Sequence, residues 1–155
     1  MSVSSDARSG FVFVALLAAM TILGGCSGAK YIYDPGTNFS GLKSYAWTPA
    51  SYIGRKESLV VANVQFVADQ VLERKGFKKT SENPDLLISI ENEYELGTYY
   101  SNDGFQLRML TLKIYQRESK ELIWRGTAPG AINTDAASND LKSAVQDVLA
   151  KFPPK

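Results

Sequence analysis

The spacing of apolar and polar residues in the first half of the chain predicts two strands followed by a helix. Tyr31-Ile32-Tyr33 is strand-like and ends at the turn residues Asp34-Pro35-Gly36. Leu42-Lys43-Ser44-Tyr45-Ala46-Trp47 alternates apolar and polar side chains, as a half-buried strand does. From Ser58 to Lys75, apolar residues such as Leu59, Phe66, Val67 and Val71 recur at helical spacing, and Gly76 is placed as a C-terminal cap.

The second half of the chain predicts three strands and a final helix. The first strand opens at Pro84-Asp85, and the segments from Phe105 to Gln116 and from Leu122 to Arg125 flank a short polar break, as in a β-hairpin. The last helix is amphipathic and stops at Pro153-Pro154. Its apolar stripe comprises Leu141, Ala144, Val145, Val148, Leu149 and Phe152.

The element order β-β-α-β-β-β-α predicts an α+β fold. We expect an antiparallel-rich β-sheet with both helices packed on one face. The sequence contains no internal repeat and no second linker, so residues 31–155 are interpreted as a single domain. Trp47 and Trp124 lie in predicted strands, and we expect both rings in the core, where each indole N–H needs an acceptor.

Residues 1–25 have the three parts of an export signal. Arg8 lies in a polar start, an apolar stretch runs from Phe11 to Leu23, and Gly24-Gly25 forms a small-residue exit. The apolar stretch has about 13 residues, whereas a helix needs roughly 20 to cross the hydrocarbon core. The segment is therefore predicted to be a removed signal peptide and not a permanent transmembrane anchor.

Cys26 is the only cysteine and directly follows this signal. The string Leu23-Gly24-Gly25-Cys26 resembles the lipobox of bacterial lipoproteins, which implies cleavage before a cysteine that carries a diacylglycerol and an N-acyl lipid. Because Ser27 follows it and not Asp, the resemblance implies sorting to the outer membrane. The alternative is ordinary cleavage after Ala29, since Ser27-Gly28-Ala29 also offers small residues.

The predicted anchor and tether occupy only residues 26–30. At roughly 3.5 Å per extended residue, the four residues after Cys26 reach about 14 Å. We therefore expect a periplasm-facing domain that lies close to the membrane. Once Cys26 is acylated, no thiol remains for a disulfide, so the stability of the domain must come from packing.

Composition narrows the classes of function. The chain has 17 Lys and Arg against 16 Asp and Glu, a balance that argues against a nucleic-acid partner. It contains no histidine, the commonest general base and metal ligand, and neither an SxxK nor a GxSxG string. An enzyme is therefore disfavoured, and apart from the lipid on Cys26 we expect no cofactor and no metal.

Short strings along the mature chain resemble a bacterial lipoprotein family known as domain of unknown function 4136. The resemblance implies an exported, lipid-anchored α+β domain, and it implies no reaction, substrate or catalytic residue. Around Tyr115-Gln116-Arg117 the chain lacks an acidic residue expected from the family pattern. The matching strings are Tyr33-Asp34-Pro35, Phe39, Leu42-Lys43-Ser44-Tyr45-Ala46-Trp47, Lys75-Gly76-Phe77, Pro84-Asp85-Leu86-Leu87-Ile88, Leu122-Ile123-Trp124-Arg125-Gly126 and Phe152-Pro153-Pro154.

Three acidic residues, Glu91, Glu93 and Glu95, alternate along one predicted strand and would project from one face. We interpret them as a solvated strand face, with Lys113 and Arg125 on neighbouring strands supplying opposite charges. The alternatives are a carboxylate pair for glycoside hydrolysis and a weak calcium site.

The segment from Tyr99 to Gly104 is the best candidate for a binding loop. Tyr99 and Tyr100 supply rigid aromatic area, and Asn102 supplies adaptable hydrogen bonding, as in recognition surfaces. The alternative is a plain turn between strands, with Asp103-Gly104 at the tight bend.

Together these patterns predict an outer-membrane-anchored periplasmic lipoprotein that acts as a non-enzymatic binding or assembly component of the cell envelope. Its expected partners are the membrane, through the lipid anchor, and an envelope protein or glycan. Two alternatives remain: a glycan-binding or glycan-hydrolysing protein, and a carrier of a small apolar ligand in a cavity under the helices.

Overall fold

The computed structural model describes residues 28–49, 55–94 and 106–154, with residues 55–58, 93 and 94 described by their backbone alone. Two helices and six strands occupy this part of the chain, together with a short 3-10 turn at Phe39–Gly41. In chain order they are β1 (Lys30–Tyr33), β2 (Ser44–Trp47), α1 (Arg55–Arg74), β3 (Lys78–Lys79), β4 (Leu86–Tyr94), β5 (Gln106–Gln116), β6 (Leu122–Asn133) and α2 (Asn139–Leu149).

The strands form one sheet in the order β1-β6-β5-β4-β2-β3. Three neighbouring pairs are antiparallel, namely β1 with β6, β6 with β5, and β5 with β4. By contrast, β2 runs parallel to β4, because α1 carries the chain back across the sheet between them. The predicted α+β class and element order are confirmed, and the sheet is mixed. The extra strand β3 has only two residues, too few for a periodic pattern.

Both helices cover the same face of the sheet. They contact each other, and α2 also packs on β6 and β5. The strand register places Trp47, Ile88, Ile114 and Trp124 side by side on this face, one from each of four strands. Helix α2 begins at its cap Ser138, whose hydroxyl accepts from the Asp140 amide, and buries the predicted apolar residues from Leu141 to Leu149.

Two details of the predicted helices are wrong. Of the apolar residues that predicted α1, Val67 and Val71 are buried, whereas Leu59 and Phe66 are 65% and 58% exposed, and Val60, Val64 and Leu72 complete the buried stripe. The stripe that meets the sheet is therefore rotated from the one that the largest side chains suggested. In addition, α2 ends before Phe152, which is nevertheless fully buried after the chain leaves the helix.

The two tryptophans differ in how their indole groups are satisfied. Trp47 is partly buried and its Nε1 donates to Asp69 Oδ1 over 2.8 Å. Trp124 is fully buried, and no described acceptor lies within hydrogen-bonding distance of its Nε1. Among the described residues, the requirement for an acceptor is therefore met for Trp47 and not for Trp124, whose ring packs in the core.

Candidate functional site

Most of the predicted site residues lie outside the described part of the chain. Glu93 is described by its backbone alone, in β4, so that the acidic strand face is represented by the side chain of Glu91. The residues outside the described ranges are Cys26, Glu95, Tyr99, Tyr100 and Asn102.

Glu91 lies on the face of the sheet opposite the helices and forms an ion pair with Lys113 of β5. Beside this pair, the hydroxyls of Thr111 and Thr127 hydrogen-bond across β5 and β6 at 3.0 Å. Within residues 28–49, 55–94 and 106–154, no three His, Cys, Asp or Glu side chains lie close enough together to hold a metal ion. In the described geometry, Glu91 serves as half of a cross-strand charge pair.

Asp69 joins helix α1 to the sheet. Its Oδ1 accepts from Tyr45 Oη at 2.6 Å and from Trp47 Nε1 at 2.8 Å, while its Oδ2 accepts from Lys79 Nζ at 2.8 Å. Burial, and then the hydrogen bond to Asp69, raise the pKa of Tyr45 far above its usual range. This carboxylate is occupied by donors from β2 and β3, so its role is structural.

Asp85 joins the start of β4 to β2. Its Oδ2 accepts from the backbone amides of Lys43 and Ser44 at 2.9 and 2.8 Å, and from Ser44 Oγ at 2.7 Å. In return, Ser44 Oγ accepts from the Asp85 amide at 3.0 Å. The Lys43 amide, followed by the Ser44 hydroxyl, holds the pKa of Asp85 below its ordinary value of 3.8.

A lowered folded-state pKa makes the contribution of Asp85 to stability depend on pH. The contribution is fully present above the unfolded-state pKa of 3.8 and is lost as the pH falls through the lower folded-state value. Asp85→Asn should therefore reduce the free energy of unfolding by about 2 kcal/mol at pH 7 and by much less at pH 2. Urea unfolding at both pH values measures this, with the exposed Glu118→Gln as control. A penalty that does not change with pH would contradict the prediction.

The large apolar side chains that the described sheet exposes lie at its β1 edge. Tyr31, Ile32 and Tyr33 are 44%, 64% and 43% exposed, and Leu122 at the start of β6 is 41% exposed. We call these four residues the β1 edge patch. The rings of Tyr31 and Tyr33 stack with their centroids 6.4 Å apart.

Two shallow pockets flank the β1 edge patch. One, of about 230 Å³, is lined by residues that include Tyr33, Asp34 and Leu122, and the other, of about 260 Å³, by residues that include Lys30 and Arg125. Among the described residues that line the two pockets, Asp34 is the only one with a carboxylate, and the hydroxyl of Thr37, followed by the Gly36 amide, lowers its pKa. Apolar area beside two cations suits contact with a surface better than acid–base chemistry.

Sequence reasoning missed this patch, because it interpreted Tyr31-Ile32-Tyr33 only as a strand. The available signal was the lack of alternation: a strand of three consecutive large apolar residues needs cover on both faces or leaves one face exposed. The joint at Asp69 was also missed. Its partners come from β2 and β3, and only the folded structure brings them to α1.

Comparison with solved structures shows similarity of fold alone. The chain aligns with a PDZ domain protein from Parabacteroides distasonis at 16% identity and a TM-score of 0.57, covering 83% of this chain and 36% of that one. It therefore spans little more than a third of that protein. Two structures of the PelC dodecamer from Paraburkholderia phytofirmans align at 15% and 16% identity with TM-scores of 0.53. Each alignment covers 79% of this chain, and 93% or 94% of the PelC chain.

Two further observations bear on classification. No helix within the described ranges is both long and apolar enough to cross a membrane. A comparison with curated proteins found no match. The model of the family described as "Domain of unknown function (DUF4136)" matches residues 29–154, and so confirms the family indicated by the sequence strings. The chain therefore belongs to the DUF4136 family.

Proposed function

We propose that the protein is a periplasm-facing lipoprotein of the bacterial outer membrane and acts there as a non-enzymatic binding or assembly component of the cell envelope. The observation that carries the proposal is the string Leu23-Gly24-Gly25-Cys26 directly behind an apolar segment. Residues 1–25 are the removed signal, and the Cys26 sulfur carries a diacylglycerol. Several acyl chains, each contributing about 0.8 kcal/mol per buried methylene, then hold the protein at the membrane.

The start of the folded domain supports cleavage before Cys26 over cleavage after Ala29. The family match begins at residue 29, and β1 begins at Lys30. Ala29 is partly buried and packs against the hydrophobic core. Cleavage after Ala29 would separate a core-contacting residue from the domain, whereas cleavage before Cys26 retains it.

The described polar groups support a non-enzymatic role. Glu91 is paired with Lys113, and the carboxylates of Asp69 and Asp85 are engaged by donors from neighbouring strands. The space between helices and sheet holds the packed side chains of the core cluster, which weighs against a carrier for an apolar ligand. A glycan-active role would rest on Glu93 and Glu95, and no described contact favours it.

The assembly role draws support from PelC. The chain shares the fold of a protein that was solved as a dodecamer, over nearly the full length of the PelC chain. An anchored domain that diffuses in the plane of a membrane meets other copies at high effective concentration. We therefore infer that this protein acts as one copy in a multi-copy assembly of the envelope.

The anchor and the assembly are tested together in cells. With labelled palmitate, the wild-type chain should carry label, fractionate with the outer membrane and give crosslinked products at multiples of its mass or with a specific envelope protein. Cys26→Ser removes the thiol that accepts the lipid, so it should lose label, cleavage and crosslinks. Ser27→Ala keeps the thiol and should behave as wild type.

Two outcomes would contradict the proposal. A mature chain with an unmodified N-terminus at Lys30 would overturn the anchor. A chain that carries the label and reaches the outer membrane, yet gives no crosslinked product, would overturn the assembly role and leave the anchor intact.

A further inference from the structure

The two edges of the described sheet are unlike each other. At one edge, β3 consists of Lys78 and Lys79. Lysines on an edge strand commonly prevent it from pairing with a strand of another chain. At the other edge, β1 exposes Tyr31, Ile32 and Tyr33. Exposed apolar patches often mark sites that contact a protein or a membrane, so we expect this edge to meet another surface.

The distance to the proposed anchor limits what that surface can be. The four residues after Cys26 span at most about 14 Å when fully extended. Because Ala29 already packs on the core, the free tether runs only from Cys26 to Ala29, which is three residue-to-residue distances or about 10 Å. Acylation of Cys26 would therefore hold the start of β1 within about 10–14 Å of the lipid headgroups.

The chemistry of the edge fits a lipid interface. Tyrosine has an apolar ring and a polar hydroxyl, a combination that is enriched where hydrocarbon meets water. Ile32 and Leu122 add apolar area, and the cations Lys30 and Arg125 line the pocket beside Ile32, where they can pair with lipid phosphates. Neither of the ion pairs between described residues, Lys79 with Asp69 and Lys113 with Glu91, includes Arg125.

The depth of the contact is limited by the backbone. One row of N–H and C=O groups on an edge strand points away from the sheet, and such groups are costly in hydrocarbon. At the level of the headgroups, these backbone groups can form hydrogen bonds with water and with the headgroups themselves. The contact is thus interfacial, with side chains dipping toward the acyl region while the strand remains among the headgroups.

We propose that the β1 edge patch rests on the phospholipid surface beside the anchor, with Lys30 and Arg125 facing lipid phosphates. The inference deepens the proposed function and depends on its lipid anchor. It fixes the orientation of the domain, because contact along β1 places β3 at the far side of the sheet from the membrane. The alternative is that a second copy of the protein covers the same patch by pairing edge to edge through β1, and the test below distinguishes the two.

The test places a photoreactive benzoylphenylalanine at Ile32 of the full chain in intact cells. The matched control carries it at Leu59 on α1, which is 65% exposed against 64% for Ile32. We expect covalent phospholipid adducts at position 32, detected by mass spectrometry, at about ten times the yield at position 59. Capture of a second copy at position 32, or equal lipid yields at both positions, would overturn the proposal.

A second measurement follows the transfer of the acylated protein between phospholipid vesicles. Ile32→Ser with Leu122→Ser should leave donor vesicles about tenfold faster than wild type, the factor that corresponds to about 1.4 kcal/mol. The control, Leu59→Ser with Phe66→Ser, changes two residues of α1 that are 65% and 58% exposed and should transfer at the wild-type rate. Equal rates for the two double variants would count against lipid contact through β1.

Palmitate labelling of the same samples separates the two proposals. A chain that lacks acyl label contradicts the anchor, and with it the inference that depends on the anchor. An acylated chain without lipid adducts at position 32 contradicts the inference alone.

Discussion

Gly126→Ala is expected to destabilise the protein by about 3 kcal/mol, a large part of the 5–15 kcal/mol typical of a domain. Gly126 lies in β6 where α2 crosses the sheet. A Cβ added there would lie 2.8 Å from the Val148 carbonyl oxygen and 2.8 Å from Cζ2 of Trp124, and closer still to Cη2 of that ring. The carbonyl is backbone and the indole is fully buried, so neither can move without disturbing the core.

The comparison variant for this prediction is Gly41→Ala. No atom lies within 4 Å of a Cβ built at Gly41, so this change should alter the free energy of unfolding by less than about 0.5 kcal/mol. Urea unfolding followed by circular dichroism measures both variants. If they prove equally stable, the close approach of α2 to β6 is not as described.

Phe152→Ala is expected to cost about 3–5 kcal/mol, the usual range for removing a large buried aromatic side chain. The Phe152 ring is fully buried at the centre of an aromatic cluster. Its centroid lies 5.2 Å from Phe77, 5.4 Å from Trp124 and 6.1 Å from Phe39. These partners come from three separate segments. Removing the Phe152 ring therefore leaves a cavity where the segment after α2 packs on the sheet.

Phe66→Ala is the matched control for this second prediction. Phe66 is 58% exposed on α1, so the same chemical change should cost less than about 0.5 kcal/mol. Thermal unfolding of the two variants compares one substitution in two environments. A similar loss in both would mean that Phe152 does not pack as the structure shows.

Periodicity predicted the elements well where a whole face is buried. The α2 stripe from Leu141 to Leu149 is buried as expected, because its apolar residues fall on one side at regular intervals. In α1 the prediction is wrong only for its two largest side chains: Leu59 and Phe66 are exposed, whereas Val67 and Val71 are buried. Side-chain size is a weak guide to orientation when small residues suffice to fill the space beneath a helix.

Contacts between distant segments were less predictable. Lys113 was expected among the partners of the acidic strand face because it falls on a neighbouring strand, and the structure pairs it with Glu91. The roles of Asp69 and Asp85 depend on the parallel placement of β2 beside β4, which an antiparallel-rich expectation does not supply. Phe152 was placed on a helical stripe, yet its burial results from the chain turning back after the helix.

The pairing of β1 with β6 has a consequence for biogenesis. Tyr31 is paired with Gly126, so β1 cannot join the sheet until β6, nearly a domain length later in the chain, is also present. In the exported lipoprotein that we propose, β1 would therefore remain unpaired until β6 had crossed the inner membrane. During that interval, an acylated N-terminus would be held at the membrane while β1 had no partner strand. Pairing of β1 with β6 would then be a late step of folding, and it would bring the domain close to the proposed lipid anchor.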